Sequence, residues 1–186
     1  IQKNYKAKRL YFTTDLKKAI SQSDIIFICV GTPNIKGSLK VDLGFVFKCT
    51  KEIFSIAKKK KIIVTKSTVP VGTGDQIEKI IQKKKKLFSV ISNPEFLREG
   101  EAIRDFRYPD RIVIGSNNKN EFKIMKKLYS PLINKGAKFF TTSRRGAELV
   151  KYAANAFLAT KITFINEIAN MCEKTGINVE DIAIGI

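Results

Sequence analysis

The sequence predicts an α/β protein in which a doubly wound, parallel sheet is followed by a long helix that opens a second, helical domain. Three observations lead to this fold class. Short runs that are apolar throughout alternate with amphipathic segments, which is typical of strands buried on both faces of a parallel sheet. Right-handed crossovers between such strands place helices on both faces. After Thr142 the alternation stops, and one helical pattern continues from Arg145 to Lys174.

The elements of the first domain follow from these alternating patterns. Apolar runs predict the strands, and amphipathic segments with polar residues at their starts predict the helices. Strands are expected over residues 24–30, 61–66, 87–91, 111–115 and 137–140. Helices are expected over residues 14–22, 43–58, 72–82 and 120–129.

A further helix is expected directly after the strand 87–91. Asn93 is a suitable N-cap and Pro94 a suitable first helical residue. A helical turn here would bring Glu95 and Glu99, four residues apart, onto one face. The carboxyl end of a parallel strand is where open α/β sheets bind ligands, so the pair predicts a site. The alternative is a solvated first turn whose acids are favoured by the helix dipole.

The long helical segment is too apolar to be a simple crossover helix. Its spacing predicts a wide apolar stripe that packs on a neighbour, either in a helical domain or at a subunit interface. We therefore expect a first domain over residues 1–142 and the start of a helical domain over 143–186, with Gly176 ending the long helix and another helix following. The stripe comprises Val150, Ala153, Ala154, Phe157, Leu158, Phe164, Ile165, Ile168 and Cys172.

The net charge of +18 suggests a nucleic-acid partner, but the composition argues against one. The chain has 28 Lys and only 7 Arg, whereas readers of bases and phosphates favour the bidentate guanidinium of Arg. Two lysine runs, 58–61 and 83–86, each close an amphipathic segment, where a helix dipole favours cations. We expect no nucleic-acid partner, and a positive field that attracts an anionic small molecule fits the charge equally well.

Several other classes are disfavoured by composition. No apolar run reaches the length of a membrane span, and the first residues do not form a signal peptide. The absence of His excludes histidine catalysis and most transition-metal sites within these residues. Cys29, Cys49 and Cys172 are too far apart for a zinc motif and are expected to be inert packing residues, Cys29 within a buried strand. These features together predict a cytoplasmic protein. Because the chain does not begin with Met, a piece of a longer protein is expected.

Small or polar residues follow three of the expected strands. They are Gly31-Thr32-Pro33, Lys66-Ser67-Thr68 and Asn93-Pro94-Glu95. Because the carboxyl ends of parallel strands meet at one edge, we expect these three turns to line a small-molecule site. A fourth candidate, Gly72-Thr73-Gly74, resembles the start of a dinucleotide fingerprint, but Ile77 stands where that pattern needs Gly, so a helix start is expected instead.

Lys151 and Asn155 are polar residues within an apolar part of the long helix. They are four residues apart and therefore share one face, with Glu148 one turn earlier. A polar group among apolar neighbours needs a partner or serves a ligand. The alternative is that the Lys151 ammonium extends to solvent along its aliphatic stem.

Five motifs together resemble the UDP-glucose 6-dehydrogenase family, in order over nearly the whole chain. The wider family, which includes GDP-mannose dehydrogenases, shares the Asn-Pro-Glu motif, whereas the run from Lys151 onwards is more similar to the UDP-glucose branch. The motifs are Val30-Gly-Thr-Pro33, Lys66-Ser-Thr-Val-Pro-Val-Gly72, Asn93-Pro-Glu-Phe-Leu-Arg-Glu-Gly100, Pro109-Asp-Arg-Ile-Val-Ile-Gly115 and Lys151-Tyr-Ala-Ala-Asn-Ala-Phe-Leu-Ala-Thr160.

The resemblance implies a Rossmann-like domain and a four-electron oxidation of UDP-glucose by two NAD⁺, through a thiohemiacetal and a thioester on a Cys. By motif, Lys151 and Asn155 would hold the C6 oxygen, Glu95 would be the base for thioester hydrolysis, and Thr68 would help position the water. The resemblance also implies that Thr32, Thr68 and Glu99 contact NAD. The sugar pocket would be lined by Glu95, Phe96, Leu97, Arg98 and Glu99, together with Lys151 and Asn155.

The chain also departs from the family pattern. The first βαβ unit with its Gly-rich turn belongs upstream of Ile1, and the nucleophilic Cys belongs downstream of Ile186, so the segment alone is expected to be inactive. A UDP-sugar substrate and a homodimer or higher assembly through the helix 145–174 are expected for the whole protein. The alternatives are another nucleotide-sugar dehydrogenase of the GDP-mannose type, and a non-catalytic basic α/β module that binds a polyanion.

Overall fold

The computed structural model describes residues 1–186 and contains one five-stranded sheet with the order β1-β2-β3-β4-β5. All five strands lie within the ranges expected from the apolar runs or within one or two residues of them. The strands are β1 (Ile25–Ile28), β2 (Lys61–Thr65), β3 (Phe88–Ser92), β4 (Arg111–Gly115) and β5 (Lys138–Thr142).

Nine α-helices and one 3₁₀ helix, Gln82–Leu87, accompany the sheet. The helices expected from amphipathic segments are confirmed, with the exception of the one expected at Asn93-Pro94. The helices are α1 (Gln2–Lys6), α2 (Leu16–Gln22), α3 (Gly44–Ile56), α4 (Thr73–Ile80), α5 (Ala102–Arg107), α6 (Lys119–Leu128), α7 (Ser130–Ile133), α8 (Arg144–Thr175) and α9 (Val179–Gly185).

The central strands are buried on both faces, as their continuous apolar runs predict. Ile63 and Val90 pack into the cluster on one face, whereas their neighbours Val64 and Ile91 pack into the cluster on the other face. Each fully buried aliphatic side chain contributes about 1.5–3 kcal/mol relative to exposure. The two cores therefore fix the register of β2 and β3, since a slip of one residue would exchange their faces.

The sheet differs from the expected all-parallel arrangement at one position. The pairs β1–β2, β2–β3 and β4–β5 are parallel, whereas β3 and β4 are antiparallel and pair through Ser92 and Gly115. The chain after β3 contains only the six-residue α5 before β4 begins, so no long helix crosses back over the sheet. Gly115 is required here, because a Cβ would stand 2.5 Å from the Cβ of Ala147.

The helix expected at Asn93-Pro94 is wrong, and tertiary contacts explain why. The Asn93 side chain donates to the carbonyl of Val113 (3.0 Å) and accepts from the Tyr129 hydroxyl (2.5 Å), so it cannot cap a helix. Its backbone N–H donates to the Thr65 carbonyl (2.9 Å). Residues 93–98 are therefore irregular, and Glu95 and Glu99 do not share a helical face.

Two lysines of the basic runs have structural roles. Lys61, buried at the start of β2, donates through Nζ to the carbonyl of Ser23 at the end of α2. Lys84 donates to the Phe54 carbonyl (2.9 Å) in the last turn of α3 and lies over the ring of that residue. The dipole argument alone would place each ammonium at the carboxyl end of the helix that its own lysine run closes. Instead, each ammonium binds a carbonyl at the carboxyl end of a neighbouring helix.

The chain divides into two compact units, Ile1–Glu148 and Leu149–Ile186. The long helix is confirmed as α8, and Asn178 caps α9 by accepting from the N–H of Glu180 (3.0 Å). Gly176, in the left-handed region with φ of 72°, ends α8. None of the helices has both the length and the apolar character needed to span a bilayer.

Candidate functional site

The ends of β1 and β2 are joined by side-chain hydrogen bonds. The Ser67 hydroxyl donates to the Val30 carbonyl (2.6 Å), and the Thr32 hydroxyl donates to the Thr68 carbonyl (2.8 Å). Both threonines are half-buried. The predicted meeting of these two strand ends is therefore confirmed, and it places Thr32 beside Thr68.

The end of β3 adds a carboxylate to this edge. The Thr68 hydroxyl donates to Oε1 of Glu95, with 3.4 Å between the two oxygens, at the weak end of hydrogen-bond distances. Glu95 is half-buried and lies within the irregular segment 93–98. A carboxylate held by one weak bond keeps free lone pairs, so Glu95 can accept a proton from a water or a substrate at this edge.

Cys29 also lies at this edge, and its expected burial in a strand is wrong. It is exposed because it follows Ile28, the last residue of the edge strand β1. Partial desolvation is the main cause that raises the pKa of the Cys29 thiol, the Lys66 cation opposes that rise, and the Glu95 carboxylate adds to it. A nucleophilic thiol needs a lowered pKa, so Cys29 is not activated as a nucleophile. Burial likewise raises the pKa of the Cys49 thiol.

The segment from Glu95 to Glu99 is held by side-chain contacts with Arg111 and Asp105. The Phe96 ring lies under the Arg111 guanidinium, 4.3 Å from the ring centroid. Arg98 donates from its backbone N–H (2.8 Å) and from Nη2 (2.7 Å) to the Asp105 carboxylate, and these bonds lower the pKa of Asp105 to about 2. Leu97 and Glu99 are exposed, and the structure places Glu99 in no hydrogen bond with the residues of the strand ends.

Lys151 and Asn155 lie in the helical unit, one turn apart on α8. Lys151 is only 8% exposed, so the alternative of an ammonium extended into solvent is not what the structure shows. Asn155 is exposed. A buried cation next to an accessible amide is the kind of pair that can stabilise a developing negative charge.

Glu148 has a buried carboxylate, and no pattern in the sequence places it at this edge. It accepts from the backbone N–H groups of Gly72 (2.6 Å) and Gly74 (2.8 Å), and from the Ser92 hydroxyl (3.3 Å). The amino end of α4 is thus filled by the chain's own carboxylate. The Gly72-Thr73-Gly74 turn is therefore not a phosphate cradle, in agreement with the failed fingerprint at Ile77, which lies in the core.

Comparisons with known proteins match both parts of the chain to one family. Residues 1–133 match the NAD binding domain of the UDP-glucose/GDP-mannose dehydrogenase family, and residues 145–186 match its central domain. The chain belongs to this family. The fold class expected from the sequence is confirmed by the same comparisons.

Individual relatives agree with that assignment. A UDP-glucose 6-dehydrogenase of Rhizobium meliloti (strain 1021) is 51% identical over 191 residues, covering 100% of this chain and 44% of the relative. A GDP-mannose dehydrogenase from Pseudomonas aeruginosa, solved as a ternary complex, superimposes with a TM-score of 0.89 at 35% identity, covering 98% of this chain and 43% of that one. A UDP-glucose dehydrogenase from Pyrobaculum islandicum gives a TM-score of 0.88 at 35% identity, covering 100% and 44%. The chain spans less than half the length of these relatives.

The residues at the strand ends fit the cofactor named by the family. The backbone at Gly31 faces open space, because a Cβ there would meet no atom within 4 Å, so a flat ligand can approach it closely. Thr32 follows Gly31 directly, and its hydroxyl donates to the carbonyl of Thr68 (2.8 Å). Since Glu148 occupies the amino end of α4, the pyrophosphate of a dinucleotide would have to bind elsewhere.

Proposed function

We propose that the whole protein, of which this chain is a part, is an NAD-dependent UDP-glucose 6-dehydrogenase. The reaction converts UDP-glucose, two NAD⁺ and water into UDP-glucuronate, two NADH and three protons. The observation that carries the proposal is the identity of about half of all residues to UDP-glucose 6-dehydrogenases, which extends over the entire chain. The UDP-sugar is the proposed substrate.

The proposed roles of the site residues follow the chemistry of each group. Lys151 and Asn155 would hold the C6 oxygen while negative charge develops on it. Glu95 would remove a proton from the water that hydrolyses the thioester, with the Thr68 hydroxyl orienting that water. The Thr68–Glu95 hydrogen bond supports this assignment, because it places a proton donor next to the proposed base.

The remaining roles concern binding. Thr32, Thr68 and Glu99 would contact NAD, which supplies the hydride acceptor, and the backbone of residues 95–99 would line the sugar pocket. The open space at Gly31 supports the first assignment for the two threonines. The second is supported by the Arg98–Asp105 ion pair, which holds the segment in a defined shape. The nucleophilic Cys is proposed to lie outside this chain.

Two alternatives remain to be separated by experiment. The fold alone does not discriminate the GDP-mannose type, since the two solved relatives superimpose almost equally well, but the higher sequence identity favours UDP-glucose. The polyanion-binding module is disfavoured because Lys61 and Lys84 have structural partners.

A cytoplasmic location is also proposed, and the three free thiols support it.

The test is the stoichiometry of the full-length protein with limiting sugar nucleotide. We expect two NADH for each UDP-glucose consumed, measured by absorbance and by chromatography of the product, with GDP-mannose as the control substrate. Two oxidations of one carbon require this ratio. A ratio of one, with an aldehyde product, would contradict the proposal, and NADH from GDP-mannose alone would establish the alternative.

We also propose that the full-length protein is a homodimer or larger assembly through α8. The support is the number of large apolar side chains that α8 leaves exposed in this part of the protein, since an apolar surface of this kind calls for a covering partner. Phe157 is 67% exposed. Others that are more than half exposed are Leu149, Leu158, Ile162, Phe164 and Met171.

Sedimentation velocity of the full-length protein at micromolar concentration is expected to show a dimer or a larger species. Phe157→Asp places a charge in the apolar surface and should shift the protein towards monomer. Asn170→Asp, a charge at an exposed polar position of the same helix, is the matched control and should not. A strict monomer for the unchanged protein would refute the assembly.

A further inference from the structure

Glu148 is a buried carboxylate that joins two segments of the candidate site. It is only 3% exposed, and it accepts from Gly72 and Gly74 at the start of α4 and from Ser92 at the end of β3. A buried charge of this kind is tolerated only when hydrogen bonds replace its lost hydration. Backbone N–H groups at a helix start do this well, because the helix dipole adds to each bond.

The neighbouring glycines are suited to this arrangement. A Cβ on Gly74 would stand 3.1 Å from Oε1 of Glu148, so the carboxylate would have to shift by a few tenths of an ångström to admit another residue. Gly72 adopts φ of 94°, a left-handed conformation that favours glycine. The turn is therefore built around the carboxylate.

Along the chain, the three donors adjoin the proposed hydrolytic pair. Gly72 ends the loop that begins after β2 and carries Thr68, and Ser92 is three residues before Glu95. Glu148 therefore links the loop after β2 to the end of β3, in addition to the ladder between the two strands. The Thr68 hydroxyl and Oε1 of Glu95, 3.4 Å apart, belong to these two linked segments.

A second set of contacts holds α4 independently of Glu148. Arg144 pairs with Asp75 (2.9 Å) and with Glu78 (2.5 Å), and Arg145 pairs with Asp75 (2.6 Å). The buried side chain of Arg144 makes two of these pairs. A change at Glu148 should therefore disturb the loop locally while α4 keeps its place on the protein.

We propose that Glu148 is a positioning residue for thioester hydrolysis, which sets the geometry of Thr68 and Glu95 by tying the loop after β2 to the end of β3. The inference rests on the proposed function for its kinetic consequence, but its structural consequence can be measured without any activity.

Glu148→Gln is the discriminating variant, because it keeps the shape of the side chain and removes one acceptor. In either orientation of the amide, the NH₂ group faces a backbone N–H, of Gly72 or of Gly74, and that bond is lost. Glu173→Gln, on an exposed part of the same helix, is the matched control. All variants are made in the full-length protein.

The first measurement is hydrogen–deuterium exchange without substrate. Peptides covering residues 67–75 and 92–96 are expected to exchange faster in Glu148→Gln than in the control, whereas peptides covering β4 and α6 should be unchanged. Unchanged exchange at 67–75 would overturn the proposal, whether or not the protein oxidises UDP-glucose. Faster exchange throughout the domain would also overturn it, because it would indicate general destabilisation.

The second measurement separates the steps of the reaction. In Glu148→Gln the rapid formation of NADH is expected to remain, while steady turnover falls by roughly 10–100-fold, as for a small misplacement of catalytic groups. A covalent adduct should accumulate, visible by mass spectrometry. A merely structural role would instead lower all rates together with the fraction of active protein and leave no adduct, which would overturn the proposal. Absence of NADH from the unchanged enzyme would refute the proposed function, and the exchange measurement would then decide the role of Glu148.

Discussion

Replacing Lys151 with alanine in the full-length protein is expected to slow the first hydride transfer by about 10²–10⁴-fold. The reason is that the C6 hydroxyl must lose its proton as the hydride leaves C6. In the proposed role, the Lys151 cation lies next to that oxygen and stabilises its alkoxide character in the transition state more than the neutral hydroxyl of the ground state. The buried position of Lys151 strengthens this effect, because few waters remain to screen the charge. Single-turnover formation of NADH measures the step directly.

Two further variants separate the charge of Lys151 from its volume. Lys151→Met keeps an unbranched side chain of similar length and should be nearly as slow as the alanine variant. Lys123→Ala removes an equal charge from an exposed position of α6 and should keep the rate of the unchanged enzyme. If Lys151→Met retained full activity, the cation would have no part in the reaction, and Lys151 would be a packing residue.

The strands and the long helix could be predicted from the sequence because their signals are local. A strand buried on both faces needs an uninterrupted apolar run, and such runs predict β1 to β4 closely. The apolar stripe on α8 repeats over many turns, so the helix expected over residues 145–174 agrees with the observed helix to within one residue at each end. The meeting of Thr32 and Thr68 followed from the rule that parallel neighbours end at one edge.

Asn93 shows where local patterns fail. An Asn followed by Pro is chemically suited to start a helix, and nothing within ten residues argues against that. Its actual partners are Val113 and Tyr129, which are distant in sequence, and two buried hydrogen bonds stabilise the irregular segment more than one cap would stabilise a helix. The antiparallel direction of β4 could not be predicted for a related reason: an apolar run does not indicate whether its strand pairs parallel or antiparallel to the next.

Glu148 was placed on the correct helix by its spacing from Lys151, but its partners were not predictable. Its bonds to Gly72 and Gly74 join residues 76 and 74 positions apart. The pair of glycines was the one available signal, and it has two explanations: a phosphate that approaches the backbone, or a carboxylate of the same chain. Only the contact of Glu148, in the first turns of α8, with the start of α4 decides between them.

Replacing Glu95 with glutamine is expected to stop thioester hydrolysis while both hydride transfers continue. Glutamine keeps the shape of the side chain and can still accept the hydrogen bond of the Thr68 hydroxyl, but it cannot remove a proton from water. The full-length variant should therefore produce a burst of two NADH for each active site and then nearly stop, with steady turnover reduced by about 10²–10⁴-fold. Mass spectrometry should show the sugar nucleotide bound covalently to the protein.

The pattern distinguishes Glu95 from Lys151 by the step that each serves, since the Lys151 variant should show neither burst nor adduct. Glu101→Gln is the matched control, because Glu101 is an exposed carboxylate that follows the same segment and makes only a 4.0 Å contact with Arg104. It should turn over normally and form no adduct. If Glu95→Gln also turned over normally without an adduct, Glu95 would be a solvated acid at the strand end, and the base for hydrolysis would have to come from a part of the protein outside this chain.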